Sequence, residues 1–323
     1  MGSGKSQVAL YAPAKINLFL HVIGRRPDGY HDLETWMQKL QLYDTITLEM
    51  LPGREGEIDF FCADDNVPTD SSNLAVRAAQ AYWAASRKAK DFGFKVILEK
   101  AIPVAAGLGG GSSDAGTVLR GLNAFFDREF SEAELVAIAR PLGADVPFFA
   151  VAYDAVLARG IGDIMHPVPS MTGCSFILVN PDIFVSTAWV FQNLTLTRSK
   201  KTSKLSCFQK DNGVSLLLAE MHNDLEQVTC EKYPEINRIK ASLVAIGAAK
   251  VLMSGSGSTV FGVFPDSEGF ESSDFKRIVG GLRQEYGEKV YLLRACTGAS
   301  PSGKAPGFDP GIRRFESFRP SHR

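Results

Sequence analysis

Residues 107–114 read GLGGGSSD, with glycine at positions 107, 109, 110 and 111 followed by Ser112, Ser113 and Asp114. The chemistry open to such a stretch is anion capture. Glycine reaches left-handed backbone conformations and leaves no Cβ in a ligand's way, so successive N–H groups can converge on a phosphate. A helix opening just after the loop adds unpaired N–H groups and the positive end of its dipole. Ser112 and Ser113 can cap that helix or donate their hydroxyls to phosphate. The loop is not a dinucleotide fingerprint, because Ser112 stands where G-x-G-x-x-G places its third glycine; nor is it a P-loop, since no G-K-[ST] occurs there. The competing reading is a glycine turn that merely joins a strand to a helix. The opening MGSGKS holds only the last three letters of a P-loop, has no strand feeding it, and is expected to be idle.

A phosphate loop needs a strand before it and a helix after it. FKVILEK (94–100) supplies the strand, Ala101 to Ala106 the connector, and the spacing of Val118, Leu119 and Leu122 predicts a helix over 113–126. Near the start, AKINLFLHV (14–22) alternates: Ala14, Ile16, Leu18, Leu20 and Val22 share one face, Lys15, Asn17, Phe19 and His21 the other. That pattern predicts a strand with one core face and one face carrying a cation and an amide. A turn follows at Pro27-Asp28-Gly29. Further strands are expected at 45–50, 57–61 and 93–99, and helices at 73–88 and 132–140, the latter opened by a capping box from Ser131 to Glu134. Strands and helices mix without the strict alternation of a doubly wound sheet, which points to an α+β fold.

A second unit is expected to begin near residue 165. SFILVN (175–180) reads as a buried strand, 197–204 as a polar loop, and 213–246 as helical. KVLM, SGSGS and TVFGVF (250–264) read as strand, tight turn and strand; the turn either faces a cleft or closes a structural hairpin. The division predicted is 1–164, 165–297, and a Gly/Pro/Ser/Arg-rich tail, 298–323, expected to be disordered.

The chain has 323 residues, enough for one large core or two ordinary ones. Its net charge of −1 supplies no global field for nucleic acid or an anionic membrane, so an anionic ligand must be gripped locally. Five scattered cysteines (62, 174, 207, 230, 296) without a C-x-x-C pair argue against a metal knuckle or disulfide framework and suit a reducing cytoplasm. No apolar run approaches membrane-spanning length and no signal peptide is visible. The expectation is a cytoplasmic globular protein with a small-molecule substrate, no nucleic-acid or membrane partner, and a monomeric or weakly dimeric state.

Four stretches occur in a telling order: PAKINLFLHVIGRRPDGYHDLETWMQKL, IPVAAGLGGGSSDAGTVLRGLN, GADVPFF (143–149) and MSGSGSTVFG (253–262). Together they resemble the GHMP kinase superfamily of galactokinase, homoserine kinase and mevalonate kinase. The P-A-K-I-N-L opening with D-G-Y-H-x-L resembles its 4-diphosphocytidyl-2-C-methyl-D-erythritol kinase family in particular. The likeness covers roughly residues 8–297 and is thinnest across 192–222. It implies a two-domain GHMP-kinase-like fold with the active site in the interdomain cleft. It also implies transfer of the ATP γ-phosphoryl group to the 2-hydroxyl of the methylerythritol moiety, a step of the non-mevalonate isoprenoid route. By the same resemblance Lys15 and Asp145 are the catalytic pair, and Pro103, Val104, Ala105, Ala106, Gly107, Leu108, Gly109, Gly110, Gly111, Ser112 and Ser113 form the ATP-phosphate loop. Asn73 and Lys100 flank the nucleotide, while Asn17, Tyr30, His31 and Phe191 hold the cytidine end. Magnesium is implied by ATP chemistry, with no acidic cluster to mark its ligands.

The residue types suit these implied roles. Phosphoryl transfer needs positioning, charge neutralisation and an acceptor for the hydroxyl proton. Asp145 sits between Gly143-Ala144 and the apolar run Val146-Pro147-Phe148-Phe149, a partly dry setting for a carboxylate, and Lys15 is the implied cation beside it. Tyr30 and His31 follow a turn that can present two rings to a pyrimidine. Without the resemblance, Asp145 reads as a turn carboxylate, Lys15 as a solvated lysine, and Tyr30 and His31 as structural aromatics. Asp114 stands where many relatives carry asparagine and is expected at helix position N2 or N3, favouring the dipole. Two other readings compete: a homoserine- or mevalonate-type kinase of the same superfamily, which needs neither Tyr30 nor His31, and a non-catalytic nucleotide-binding protein. Against the last stand the presence of both Lys15 and Asp145 and the near-zero net charge.

Overall fold

The computed structural model describes residues 7–195, 213–266, 272–297 and 312–313. The opening MGSGKS, the polar loop at 197–204, Cys207 and most of the expected tail lie outside the described residues.

Strands β1 (Gln7–Arg25) and β2 (His31–Pro52) form one long antiparallel hairpin, pairing Lys15 with Lys39, Asn17 with Met37 and Arg25 with His31. The turn between them closes through Gly29 N–H to Arg26 C=O (3.1 Å), with Gly29 at φ +88. β2 was expected only over 45–50. Its first half hides a polar series whose partners come from far along the chain: Arg159 for Glu34 (2.9 Å), the Met171 N–H for Gln38 (2.9 Å) and the Val151 carbonyl for Lys39 (3.1 Å). β1 likewise departs from the one-sided pattern. Lys15, Asn17 and Phe19 are as buried as Ala14, Ile16 and Leu18. A sheet covers one face and the cleft side is enclosed too, so the face expected to be polar is an interior one.

The first sheet orders β11–β1–β2–β4–β3, with β5 and β6 branching from β2. Here β3 is Ile58–Cys62, β4 Phe92–Glu99, β5 Ala155–Gly160 and β6 Ile164–Pro167. β11 is Ile312–Arg313, paired with Ala9 and Leu10 on the open edge of β1, so this part of the expected disordered tail is in a sheet. An edge strand offers free N–H and C=O groups to any chain that passes. Helices α1 (Leu74–Ala85) and α2 (Gly110–Phe125) cover the sheet over a core that includes Leu10, Leu48, Tyr82, Phe94, Val118 and Leu122. α3 (Glu132–Ala139) opens with both bonds of the capping box. α4 (Val146–Ala150) lies against α2 at Gly116, where a Cβ would come within 2.5 Å of Phe149.

The second sheet orders β10–β7–β9–β8, from Val290–Leu293, Cys174–Val179, Val260–Pro265 and Lys250–Met253. The helical stretch 213–246 resolves into α6 (Gly213–Glu220), α7 (Glu226–Lys232) and α8 (Glu235–Ala245), separated from α5 (Thr187–Gln192) earlier in the chain; α9 (Ser272–Tyr286) follows β9. The break at 222–224 is tertiary in origin, because Asn223 makes a β-bridge to Leu20 of β1. The expected division at 164/165 falls at the start of β6, which still belongs to the first sheet. The two halves share one core, where Ile16, Leu18 and Leu40 meet Phe176, Leu178 and Phe261. The architecture is α+β, as the mixed pattern predicts.

Where β4 runs into the glycine loop, a buried triad fastens three elements. Lys100 pairs with Asp44 of β2 and with Asp114 of α2, the latter at 3.0 Å. Asp44 also accepts the Ala101 and Ile102 N–H groups (2.7 and 2.8 Å), fixing the exit of the strand. Because α2 starts at Gly110, Asp114 lies beyond N2 and N3 and is 3 % exposed; it braces the fold rather than the dipole. Burial pushes the Asp114 carboxyl up to about 7, with Lys100 opposing and Asp44 adding to the rise. Burial also weighs against the Lys100 ammonium, but Asp114 and Asp44 more than reverse it, and its pKa ends raised.

This arrangement has a stability signature. An acid raised from 3.8 to about 7 binds a proton in the fold that the unfolded chain has released. In that window stability therefore declines as pH rises from about 4 to about 7. Asp114→Asn removes the proton and its slope. Urea midpoints for parent and variant at pH 5 and pH 7 test this: the difference should move in the variant's favour at pH 7, and an identical difference at both pH values contradicts the assignment.

Candidate active site

The glycine loop is pinned from two sides. Gly107 (φ +77) and Gly109 (φ +72) adopt left-handed backbone. A Cβ on Gly107 would stand 2.1 Å from the Ser254 carbonyl oxygen, and one on Gly109 would stand 3.0 Å from Lys15 Cγ. Three hydrogen bonds hold this approach: Lys15 N–H to Leu108 C=O (2.9 Å), Ser254 Oγ to Gly107 C=O (2.9 Å) and Thr259 N–H to Ala106 C=O (3.2 Å).

The helix begins three residues before the expected 113. Gly109 is its N-cap, and no side chain caps it, so Ser112 and Ser113 do not take that role. The first ladder bond runs from Ser113 N–H to Gly109 C=O (2.8 Å), which leaves the N–H groups of Gly110, Gly111 and Ser112 ahead of the ladder. All three residues line a cleft of about 640 Å³ between the halves of the molecule. Pro103 to Gly107 line it as well. Leu108 and Ser113 are fully buried beneath the loop and do not reach it.

Lys15 and Asp145 meet in this cleft, Nζ to Oδ2 at 3.4 Å, with side chains 5 % and 33 % exposed. Lys15 Nζ also donates to Asn17 Oδ1 (2.7 Å), whose Nδ2 donates to Thr35 Oγ1 (2.9 Å), which donates to the Phe19 carbonyl (2.7 Å). This chain of bonds fixes the ammonium on a buried strand. Asp145 occupies the N-cap of α4 yet makes no capping bond, so its carboxylate is left for the cleft. Thr35 carries no sequence signal; it lies on the half of β2 that the period-two pattern does not show.

The other expected residues divide. Asn73 lines the cleft but is also the cap of α1, accepting the Ala75 N–H (2.8 Å) and donating to Pro68 C=O (2.7 Å). Lys100 lines it while engaged in the triad. Phe191 lines it and stacks on His31 with centroids 5.0 Å apart and planes at 25°. Tyr30, beside His31, is 62 % exposed at the hairpin tip. Burial and the nearby Arg25 lower the His31 pKa, so the ring is predominantly neutral near pH 7. Phe184, 72 % exposed, also lines the cleft and was not foreseen.

Of the two readings of SGSGS, the structure has the cleft-facing turn: Gly255 and Ser256 line the cleft. Asn223 braces the turn, its Nδ2 donating to the Met253 and Gly255 carbonyls (2.8 and 2.7 Å), and Thr229 Oγ1 donates to Ser256 C=O (3.1 Å).

Comparison with known proteins places this geometry. The family model "GHMP kinases N terminal domain" matches residues 73–153, and "GHMP kinases C terminal" matches 208–272. The 4-diphosphocytidyl-2-C-methyl-D-erythritol kinase of Desulfotalea psychrophila is 50 % identical over 290 residues, which span 90 % of this chain and 96 % of that protein. A crystal structure of 4-(cytidine 5'-diphospho)-2C-methyl-D-erythritol kinase superposes with a TM-score of 0.73 at 32 % identity, covering 90 % of this chain and all of that one. Homoserine kinase from Cytophaga hutchinsonii gives a TM-score of 0.70 at 17 % identity, over 92 % of this chain and 98 % of its own, a likeness of fold alone. At 50 % identity over 90 % of its length, the chain belongs to the 4-diphosphocytidyl-2-C-methyl-D-erythritol kinase family of the GHMP kinases.

Proposed function

We propose that the chain transfers the γ-phosphoryl group of ATP to the 2-hydroxyl of 4-diphosphocytidyl-2-C-methyl-D-erythritol, with Lys15 and Asp145 at the reacting hydroxyl. As a member of this family the protein is an ATP-dependent small-molecule kinase. The observation that carries the residue assignment is the Lys15–Asp145 pair at 3.4 Å in the cleft that the glycine loop also lines. The Asp145 carboxylate accepts the hydroxyl proton as the oxygen forms its bond to phosphorus and the bond to the ADP oxygen breaks. The Lys15 ammonium, held by Asn17, orients the hydroxyl and offsets charge on the transferring group.

Gly110, Gly111 and Ser112 offer backbone N–H groups to the phosphates, reinforced by the N-terminus of α2. Magnesium arriving with ATP would supply further charge neutralisation, and Asp145 and Ser112, which line the cleft with the hard oxygen donors it takes, would be the residues to hold it. Tyr30, His31 and Phe191 form the cytidine end, whereas Asn17, expected there too, is bonded to Lys15 and belongs to the reacting end. Homoserine- and mevalonate-type substrates have no base to occupy these rings, which favours the cytidylylated one. Every proposed group comes from one chain, so a monomer or weak homodimer suffices. The four described cysteines are all free, in keeping with a cytoplasmic setting, and no described helix is long and apolar enough to cross a membrane.

Asp145→Asn is nearly isosteric and a far weaker base. Turnover should fall by roughly two to four orders of magnitude with ATP affinity retained. Coupled ADP release together with equilibrium nucleotide binding checks this, and near-full turnover removes Asp145 from the catalytic role.

Phe191→Ala and Tyr30→Ala probe the cytidine end. Each should raise the KM for the cytidylylated substrate by about 5- to 150-fold, equivalent to the ~1–3 kcal/mol of base–aromatic stacking, while Tyr30→Phe costs much less. The KM for ATP serves as the control. Parallel losses for both ligands indicate a general defect, and an unchanged substrate KM excludes stacking.

A further inference from the structure

Outside the cleft, one cluster combines metal-binding side chains from elements remote in sequence. His21 lies on β1, and His222 and Asp224 lie on the link between α6 and α7. Their ligand atoms (two imidazole nitrogens and a carboxylate oxygen) all fall within 4.8 Å of one another. His222 Nε2 is 2.8 Å from Asp224 Oδ1, and His21 Nδ1 is 3.9 Å from Asp224 Oδ2. The two imidazoles lie nearly parallel, 5.6 Å between centroids and 20° between planes. We propose that His21, His222 and Asp224 form a binding site for one borderline divalent transition-metal ion, of the zinc or nickel class.

The donor set selects that class. Two imidazoles and one carboxylate suit Zn²⁺, Ni²⁺, Co²⁺ or Cu²⁺, whereas Mg²⁺ prefers an all-oxygen shell. Bonds of about 2.0–2.1 Å require ligand atoms roughly 3.3 Å apart around a tetrahedral centre. The widest separation therefore closes by at most about 1.5 Å, within the rotameric reach of His222, whose side chain is 59 % exposed. Asp224 is already oriented, because its Oδ2 accepts the Val22 N–H at 2.7 Å, the kind of outer contact that fixes a ligating carboxylate. Glu34 and Glu220 act on His21, and Glu226 on His222, as negative neighbours, with Lys250 opposing near His222.

The position gives the ion a structural role. Residues 222 and 224 already grip β1 through Leu20 N–H to His222 C=O (2.8 Å) and Asp224 N–H to Leu20 C=O (3.0 Å). Between them Asn223 holds the Met253 and Gly255 carbonyls of the turn that lines the cleft. A bound ion ties the strand that carries Lys15 to the segment that braces this turn. It stabilises the fold by mass action without entering the reaction.

The test uses the full-length, untagged chain stripped with chelator and titrated at pH 7.5 without nucleotide. Calorimetry with Zn²⁺ alone should show one site per chain, a raised melting temperature, and no competition from millimolar Mg²⁺. Co²⁺ in its place should give ligand-field absorption in the visible. His222→Ala removes an exposed ligand, and its metal-free melt should match that of the parent. In this variant Zn²⁺ affinity should drop by at least about tenfold and both the thermal shift and the Co²⁺ bands should vanish. Equal Zn²⁺ affinity in parent and variant assigns binding elsewhere and overturns the proposal, as does the absence of binding in the parent.

Discussion

Three backbones that share no sequence neighbourhood approach to hydrogen-bonding distance at one point: β1 at Lys15, the glycine loop at 106–109 and the SGSGS turn at 254–259. The whole site depends on that approach, and it is possible only because residue 107 has no side chain; the Ser254 carbonyl occupies the place where a Cβ would be. With the loop clamped between the two sheets, the free N–H groups at the start of α2, proposed to bind phosphate, and the Lys15 ammonium hold fixed mutual positions. Pre-organisation of this kind is what electrostatic stabilisation of phosphoryl transfer requires.

The two buried lysines on either side of the loop show how charge is apportioned. Lys100 faces two acids, Asp44 and Asp114, and its charge is consumed in holding β2, the strand exit and α2 together. Lys15 has an amide on one side and a partly exposed carboxylate on the other. Its charge is therefore only partly neutralised within the protein and remains available to a reacting group. A buried ion pair is costly unless its hydrogen bonds are complete, and the fold meets that cost where it needs rigidity rather than reactivity.

The fold itself does not choose the substrate. A homoserine kinase and a mevalonate kinase superpose on this chain, so selection between substrates has to come from local features and not from the fold. The long hairpin carries Tyr30 and His31 at its tip, and α5 brings Phe191, which lines the cleft, into a stack with His31, while Tyr30 stays exposed and neither hairpin ring lines the cleft. Phe184, on the approach to α5, is exposed and lines the same cleft as Phe191.

Much of this was legible in the sequence because it is written locally. Glycines at 107–111, the capping box at Ser131, the hydrophobic runs of β4, β7 and β9, and the α+β mixture are all signals carried within a dozen residues of one another. Periodicity, however, reports a buried face only when the opposite face is wet. β1 is enclosed on both sides, so the pattern at 14–22 correctly predicted a strand whose second face carries Lys15 and Asn17, but not that this face is buried. The first half of β2 is sustained by Arg159, Met171 and Val151, more than a hundred residues away, and nothing near it in the chain announces them. The start of α2 at Gly110, Asp114's turn toward Lys100 and the meeting of His21 with His222 have the same cause. The sequence by itself determined which residues can carry the chemistry; only the tertiary structure decided which of them meet, because the partners of a buried polar group are chosen by packing between sheets and not by spacing along the chain.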